Sequence, residues 1–144
     1  MRLTPINSAE AVFEPFFDER ISGLPRWDAA TPGAVGVKLT QSWAFVIINW
    51  EQPAADGLVL RLHRRYDGLD CSAYDRLIVN AVIPEGGWFT LHAETDAGPR
   101  HRRGEPFGGI KREEWLPLDG AKRIRSLTIE AWFPRAEPGN AWIY

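Results

Sequence analysis

Alternation with a period of two, not 3.6, runs through most of this chain. "VGVKLT" (35–40) alternates strictly, and that spacing sends successive side chains to opposite faces of a strand. "AFVIINW" (44–50) is apolar at both parities, as in a strand covered on both sides. In "GLVLRLHRR" (57–65), Leu58, Leu60 and Leu62 share one face and leave Arg61 and His63 on the other. "RLIVNAVI" (76–83) and "WFTLHAET" (88–95) flank "PEGG", whose two glycines suit the positive φ of a hairpin turn. "IRSLTIEAWF" (124–133) and the closing "AWIY" read as two more strands. The opening "EAVFEPFFDE" predicts a short strand, because Pro15 interrupts any helical turn. Glycine and proline cut the chain at short intervals, as in an all-β domain. The expectation is an antiparallel two-sheet β-sandwich (jelly roll) of roughly eight short strands, one domain over residues 1–144.

Parity also sorts the polar residues. With Phe89, Leu91 and Ala93 toward a core, Trp88, Thr90, His92 and Glu94 face away from it. By the same rule Asn80 stands opposite Leu77, Val79 and Ala81. Arg61 and His63 stand opposite the leucines, and Thr128, Glu130 and Trp132 opposite Leu127, Ile129 and Phe133. If the four strands share a sheet, their outward residues form one surface of tryptophan and hydrogen-bonding groups. Such a surface suits a sugar, whose C–H face stacks on an aromatic ring and whose hydroxyls pair with amide, carboxylate and imidazole. Trp88 and Trp132 are then exposed platforms whose loss would weaken binding rather than stability.

Composition sharpens this in one respect. Seven Trp, seven Phe and three Tyr in 144 residues exceed what core packing requires, which favours an aromatic binding surface. Trp27, Trp43, Trp50, Trp115 and Trp142 are expected in the core or at its rim, with Trp43 as a loop-borne alternative. The net charge of −2 provides no overall attraction to nucleic acid or to an anionic membrane, and no stretch nears the ~20 apolar residues of a membrane span. Cys71, the single cysteine, excludes an internal disulfide and reads as an apolar filler. The opening residues hold no apolar targeting core, so the compartment is open: inside the cell, or extracellular or periplasmic as a module of a longer secreted chain.

Over "YDGLDCSAYDRLIVNAVIPEGGWFTLHAETDAG" (66–98) the chain resembles the galactose-binding-like jelly rolls used as carbohydrate-binding modules. Their Asp-Leu-Ser-x-Tyr-Asp-x-Leu turn reads here Asp70-Cys71-Ser72-Ala73-Tyr74-Asp75-Arg76-Leu77. Asp70 and Ser72 suit a side-chain-to-backbone turn, and the Tyr74 ring suits the sandwich edge. The likeness reaches more loosely to the two ends of the chain. It implies a non-catalytic module that binds a poly- or oligosaccharide and is joined to a glycoside hydrolase or polysaccharide lyase. No cofactor is required. The resemblance also implies a structural calcium, for which Glu14 and Asp18 are placed, although the closing strand supplies no acid of its own.

Two other readings stand beside this one. One is a structural or protein–protein interaction sandwich whose tryptophan-rich face packs on a neighbouring domain. The other is a small glycan-active enzyme using Glu94 and Glu130 as acid and base. No nucleophile elbow, zinc-protease motif or phosphate-binding loop accompanies those acids. His63, His92 and His101 lack metal-ligand spacing, although Glu94 could join two of them in space. The glycine-rich stretch 96–109 reads as a basic loop, where Arg100, Arg102 and Arg103 would grip a carboxylate or sulfate. Against an anionic ligand stand Glu94 and Glu130 on the proposed face, which favour a neutral glycan.

Overall fold

The computed structural model describes residues 2–5, 12–13, 28–30, 37–41, 46–50, 58–109, 112–133 and 139–143, with side chains over 59–109 and 112–133. Every regular element among these residues is a strand: β1 (Arg2–Pro5), β2 (Val12–Phe13), β3 (Asp28–Ala30), β4 (Val37–Gln41), β5 (Val46–Trp50), β6 (Leu58–Asp70), β7 (Tyr74–Val82), β8 (Trp88–Thr95), β9 (Gly98–Arg103), β10 (Arg112–Pro117), β11 (Arg123–Phe133) and β12 (Gly139–Ile143).

The strands form two antiparallel sheets. One runs β3-β6-β11-β8-β9; the other runs β2-β1-β7-β12-β5-β4, with β10 also on β7. Strand β10 pairs along 76–81 of β7, so β1 and β12 take successive stretches of its opposite edge. Between the sheets lies the core: Leu60 and Leu62, Leu77, Val79 and Ala81, Phe89, Leu91 and Ala93, Leu116 and Leu118, and Leu127, Ile129, Ala131 and Phe133, each at most 1% exposed. These are the inward parities of β6, β7, β8, β10 and β11, with Leu118 just past the end of β10, and burying them is the main force that closes the sandwich.

Several expectations need correction. "PEGG" does not close a hairpin, since β7 and β8 belong to different sheets and the turn carries the chain from one to the other. Short turns with positive-φ glycine, here Gly86 at φ 78°, serve both purposes. The stretch read as a loop over 96–109 instead begins with a hairpin. β8 pairs with β9 from Thr90↔Arg103 to Thr95↔Gly98, and Gly98 takes φ 96°. Strands β1, β3, β9 and β10 were not expected. Asp70 accepts a hydrogen bond from the Ser72 backbone N–H at 2.9 Å, as the turn motif requires. Cys71 is fully buried with its thiol on the Ala121 carbonyl, and burial pushes that thiol up to about 11.

The β8–β9 turn is tied to the start of β11. Asp96 accepts backbone N–H bonds from Lys122 at 2.9 Å and Arg123 at 3.1 Å. The Arg123 bond, then the Lys122 bond, hold its carboxyl below the ordinary range. A depressed carboxyl stabilises the fold above its unfolded value near 4 and loses that contribution as pH falls through the lower folded value. Asp96→Ala is therefore expected to melt below the wild type at pH 7. Melting curves at pH 7 and pH 2.5 check this: the gap should close at the acid end, and a gap that persists there would assign the loss to packing instead.

Candidate functional site

The outer face of the five-stranded sheet is built in cross-strand rows. Trp132 of β11 stands opposite Val59 of β6 and Trp88 of β8. The next row is Arg61, Glu130, Thr90 and Arg103, and the next is His63, Thr128, His92 and His101, which gathers all three histidines of the chain. The row after that is Arg65, Ser126, Glu94 and Pro99, and the bulge between Ile124 and Ser126 follows it. On β3, Asp28 is in register with His63 and Ala30 with Arg61. Period two thus brings the expected residues of β6, β8 and β11 onto one surface, because these three strands are immediate neighbours.

Asn80 is not among them. It lies on β7 in the other sheet, in register with Glu113 of β10, so its matching parity places it on a different side of the molecule. The three arginines also separate. Arg103 and His101 share the outer parity of β9, while Arg100 and Arg102 take the other. Arg100 donates from Nε to the Leu118 carbonyl at 3.3 Å and lies 3.7 Å from the Asp119 carboxylate. The Arg102 guanidinium carbon sits 3.8 Å from the centre of the Trp115 ring. Both therefore tie β9 to the region of β10 instead of reaching out to a ligand.

Trp88 and Trp132 are half-buried and lie against each other, ring centres 4.0 Å apart and planes inclined by 32°. The Arg103 guanidinium carbon lies 4.3 Å over the Trp88 ring. Trp88 is thus held between partners from the strands on its two sides, and the expectation of two free platforms is corrected. Trp132 is likewise half-buried and stands in register with Val59 of β6.

The charged residues of the face are mostly paired. Glu130 Oε2 accepts from Arg61 Nε at 3.0 Å and Nη2 at 2.7 Å. His92 Nε2 lies 2.9 Å from Glu94 Oε1, and His63 Nδ1 2.9 Å from the Thr128 hydroxyl. Glu94 is in register with Ser126, and Glu130 lies four residues farther along β11. Their Cα positions are thus roughly 13 Å apart along the strand direction at about 3.3 Å per residue, and each carboxylate is engaged, Glu130 by Arg61 and Glu94 by His92.

His92 and His101 have ring centres 6.2 Å apart, and no group of three or more metal-ligating side chains able to hold an ion occurs among the described residues. Glu14, Asp18, Trp27 and Trp43 lie outside the described residues. Arg65, Ser126 and Pro99 of the face escaped the sequence reading, which placed His101 and Arg103 in a loop. Arg65 continues the parity of Arg61 and His63, and Pro99, His101 and Arg103 alternate with Arg100 and Arg102, a period-two signal masked by the glycine and proline around it.

No family model matches the sequence, and no curated protein matches it. Solved structures do. The agarase AgWH50C aligns over 90% of this chain and 23% of its own, with 11% identity and a TM-score of 0.55. The enzymatically active domain of tailspike protein 4 from bacteriophage CBA120 aligns over 91% of this chain and 20% of its own, with 11% identity and a TM-score of 0.52. TmCBM61, solved with β-1,4-galactotriose, aligns over 90% of this chain and 96% of its own, with 9% identity and a TM-score of 0.52. The chain thus shares its sandwich fold with a carbohydrate-binding module and with portions of two much larger proteins.

Proposed function

We propose that this chain is a non-catalytic carbohydrate-binding module that holds a poly- or oligosaccharide on the outer face of its five-stranded sheet. The observation that carries the reading is the convergence of Trp88 and Trp132 with rows of hydroxyl, imidazole, guanidinium and carboxylate groups on one solvent-facing surface. Trp132 supplies a stacking surface. Arg61, Glu130, Thr90, His63, His92 and Glu94 supply donors and acceptors at strand spacing, about 4.8 Å across the sheet. The fold shared with TmCBM61 supports the same reading. In the agarase and tailspike proteins the matching region is about a fifth of the chain, which supports a module that accompanies a larger carbohydrate-active protein.

Binding is shallow and solvent-exposed, so sugar hydroxyls exchange water bonds for protein bonds with little net gain, and affinity per site is modest. The test is a screen of the isolated chain on immobilised polysaccharides, followed by calorimetry on the best. Saturable binding that Trp132→Ala weakens is expected. Absence of binding to every polysaccharide, with retention only on a neighbouring protein domain, would replace this reading with that of an interaction sandwich.

A further inference from the structure

Resting on that reading, we propose that the glycan is acidic, and that the β9 side of the face is the subsite for its carboxylate or sulfate groups. The two acids that argued for a neutral ligand are both occupied, Glu130 by Arg61 at 2.7 Å and Glu94 by His92 at 2.9 Å. Exposed pairs of this kind add little stability, but the Arg61 guanidinium offsets the charge of Glu130, and the His92 ring occupies one oxygen of Glu94. Among the described residues, the cations of the face without a carboxylate partner are Arg65 and Arg103, with His101 beside the latter.

Arg103 is the better placed of the two arginines. Its guanidinium carbon lies 4.3 Å over the Trp88 ring, which anchors the group on the face, and its N–H groups have no carboxylate partner among the described residues, so they can grip a planar anion in two-point fashion. Thr90 stands in register with Arg103, and His101 lies two residues away on the same parity. Trp132, on the next strand but one from β9, takes the apolar face of a sugar whose charged group reaches Arg103.

The acids nearby do not cancel this charge. Glu105 is exposed two residues beyond Arg103 and makes no ion pair with it among the described residues. Asp28 is in register with His63 on β3, at the far edge of the sheet. Four strand spacings separate β3 from β9, about 19 Å at ~4.8 Å each, well over the Debye length of about 8 Å at physiological salt.

The experiment is calorimetric titration of the full chain with polygalacturonate, dextran sulfate, a neutral β-galactan, a neutral β-glucan and single-stranded DNA, at 20 and 300 mM sodium chloride. The expected result is a preference for one or both acidic polysaccharides, weakened about tenfold by salt. Arg103→Gln should lose about tenfold at low salt and flatten the salt dependence. Arg103→Lys, which keeps the charge without the planar fork, should fall between. Which acidic polymer binds distinguishes carboxylate from sulfate. Melting curves of both variants confirm the fold, and the lysine variant serves if the glutamine one unfolds. Salt-insensitive binding to the neutral polymers alone would overturn this inference and leave the carbohydrate reading standing. Equal binding to DNA would reduce the patch to unspecific charge and overturn it. Failure to bind any polysaccharide would remove both readings.

Discussion

Phe89→Ala should lower the free energy of unfolding by about 3–5 kcal/mol, the cost of emptying a fully enclosed aromatic site. Phe89 is 0% exposed, meets the Phe107 ring edge-on at 5.7 Å between centres, and stands in register with Ala131 of β11. Its cross-strand neighbour Ala131 has no side-chain length with which to refill the space. Most of the stability of a domain this size, about 5–15 kcal/mol, depends on such positions, so one substitution removes a large share. Urea unfolding with a slope near that of the wild type measures it. Glycan binding assayed well below the lowered midpoint should persist, because Phe89 points away from the face carried by Trp88 and Thr90. A loss under about 1.5 kcal/mol would mean that the two sheets close less tightly than their burial indicates.

The second large effect concerns the tryptophan pair. Trp132→Ala should weaken glycan binding by tenfold or more, about 1.4 kcal/mol. Trp88→Ala should act differently. It removes the ring between Trp132 and Arg103, so it releases both and lowers the melting temperature as well as the affinity. In a double-mutant cycle read on stability, the pair should be non-additive by about 0.5–1.5 kcal/mol, the range of aromatic coupling. Additive losses would show two independent rings. Trp132→Phe should recover part of the affinity, since a smaller ring still offers a stacking surface.

Strand β8 was fully legible in the sequence: "WFTLHAET" alternates without a break, and its eight residues are the strand observed. Its neighbour β9 was not, since "GPRHRR" carries proline, glycine and four basic residues, a composition that reads as loop. Proline and charge are tolerated there because β9 is the last strand of its sheet in the order described. Asn80 shows the other limit. Parity states which side of its own strand a residue takes, but sheet membership depends on partners far away in sequence, and β7 found its partners in β1, β10 and β12. The aromatic stack was hidden for a related reason. Trp88 and Trp132 are 44 positions apart by number, and only the register of β8 on β11 sets them opposite.

The ion pair between Arg61 and Glu130 spans 69 residues of chain. Of the cross-strand pairings described on the outer face, only that of the β8–β9 hairpin is local; those of β11 wait until it has met β8 on one side and β6 on the other. Long loops must close before those pairings return any free energy, which places such topologies in the millisecond-to-second range of folding. The hairpin excised as a peptide would carry Trp88 and Arg103 without Trp132, Arg61 or Glu130. On the ribosome, the surface exists only after residue 133 has left the exit tunnel, so Trp88, Thr90, His92 and Glu94 of β8 wait for β11 before the face is complete.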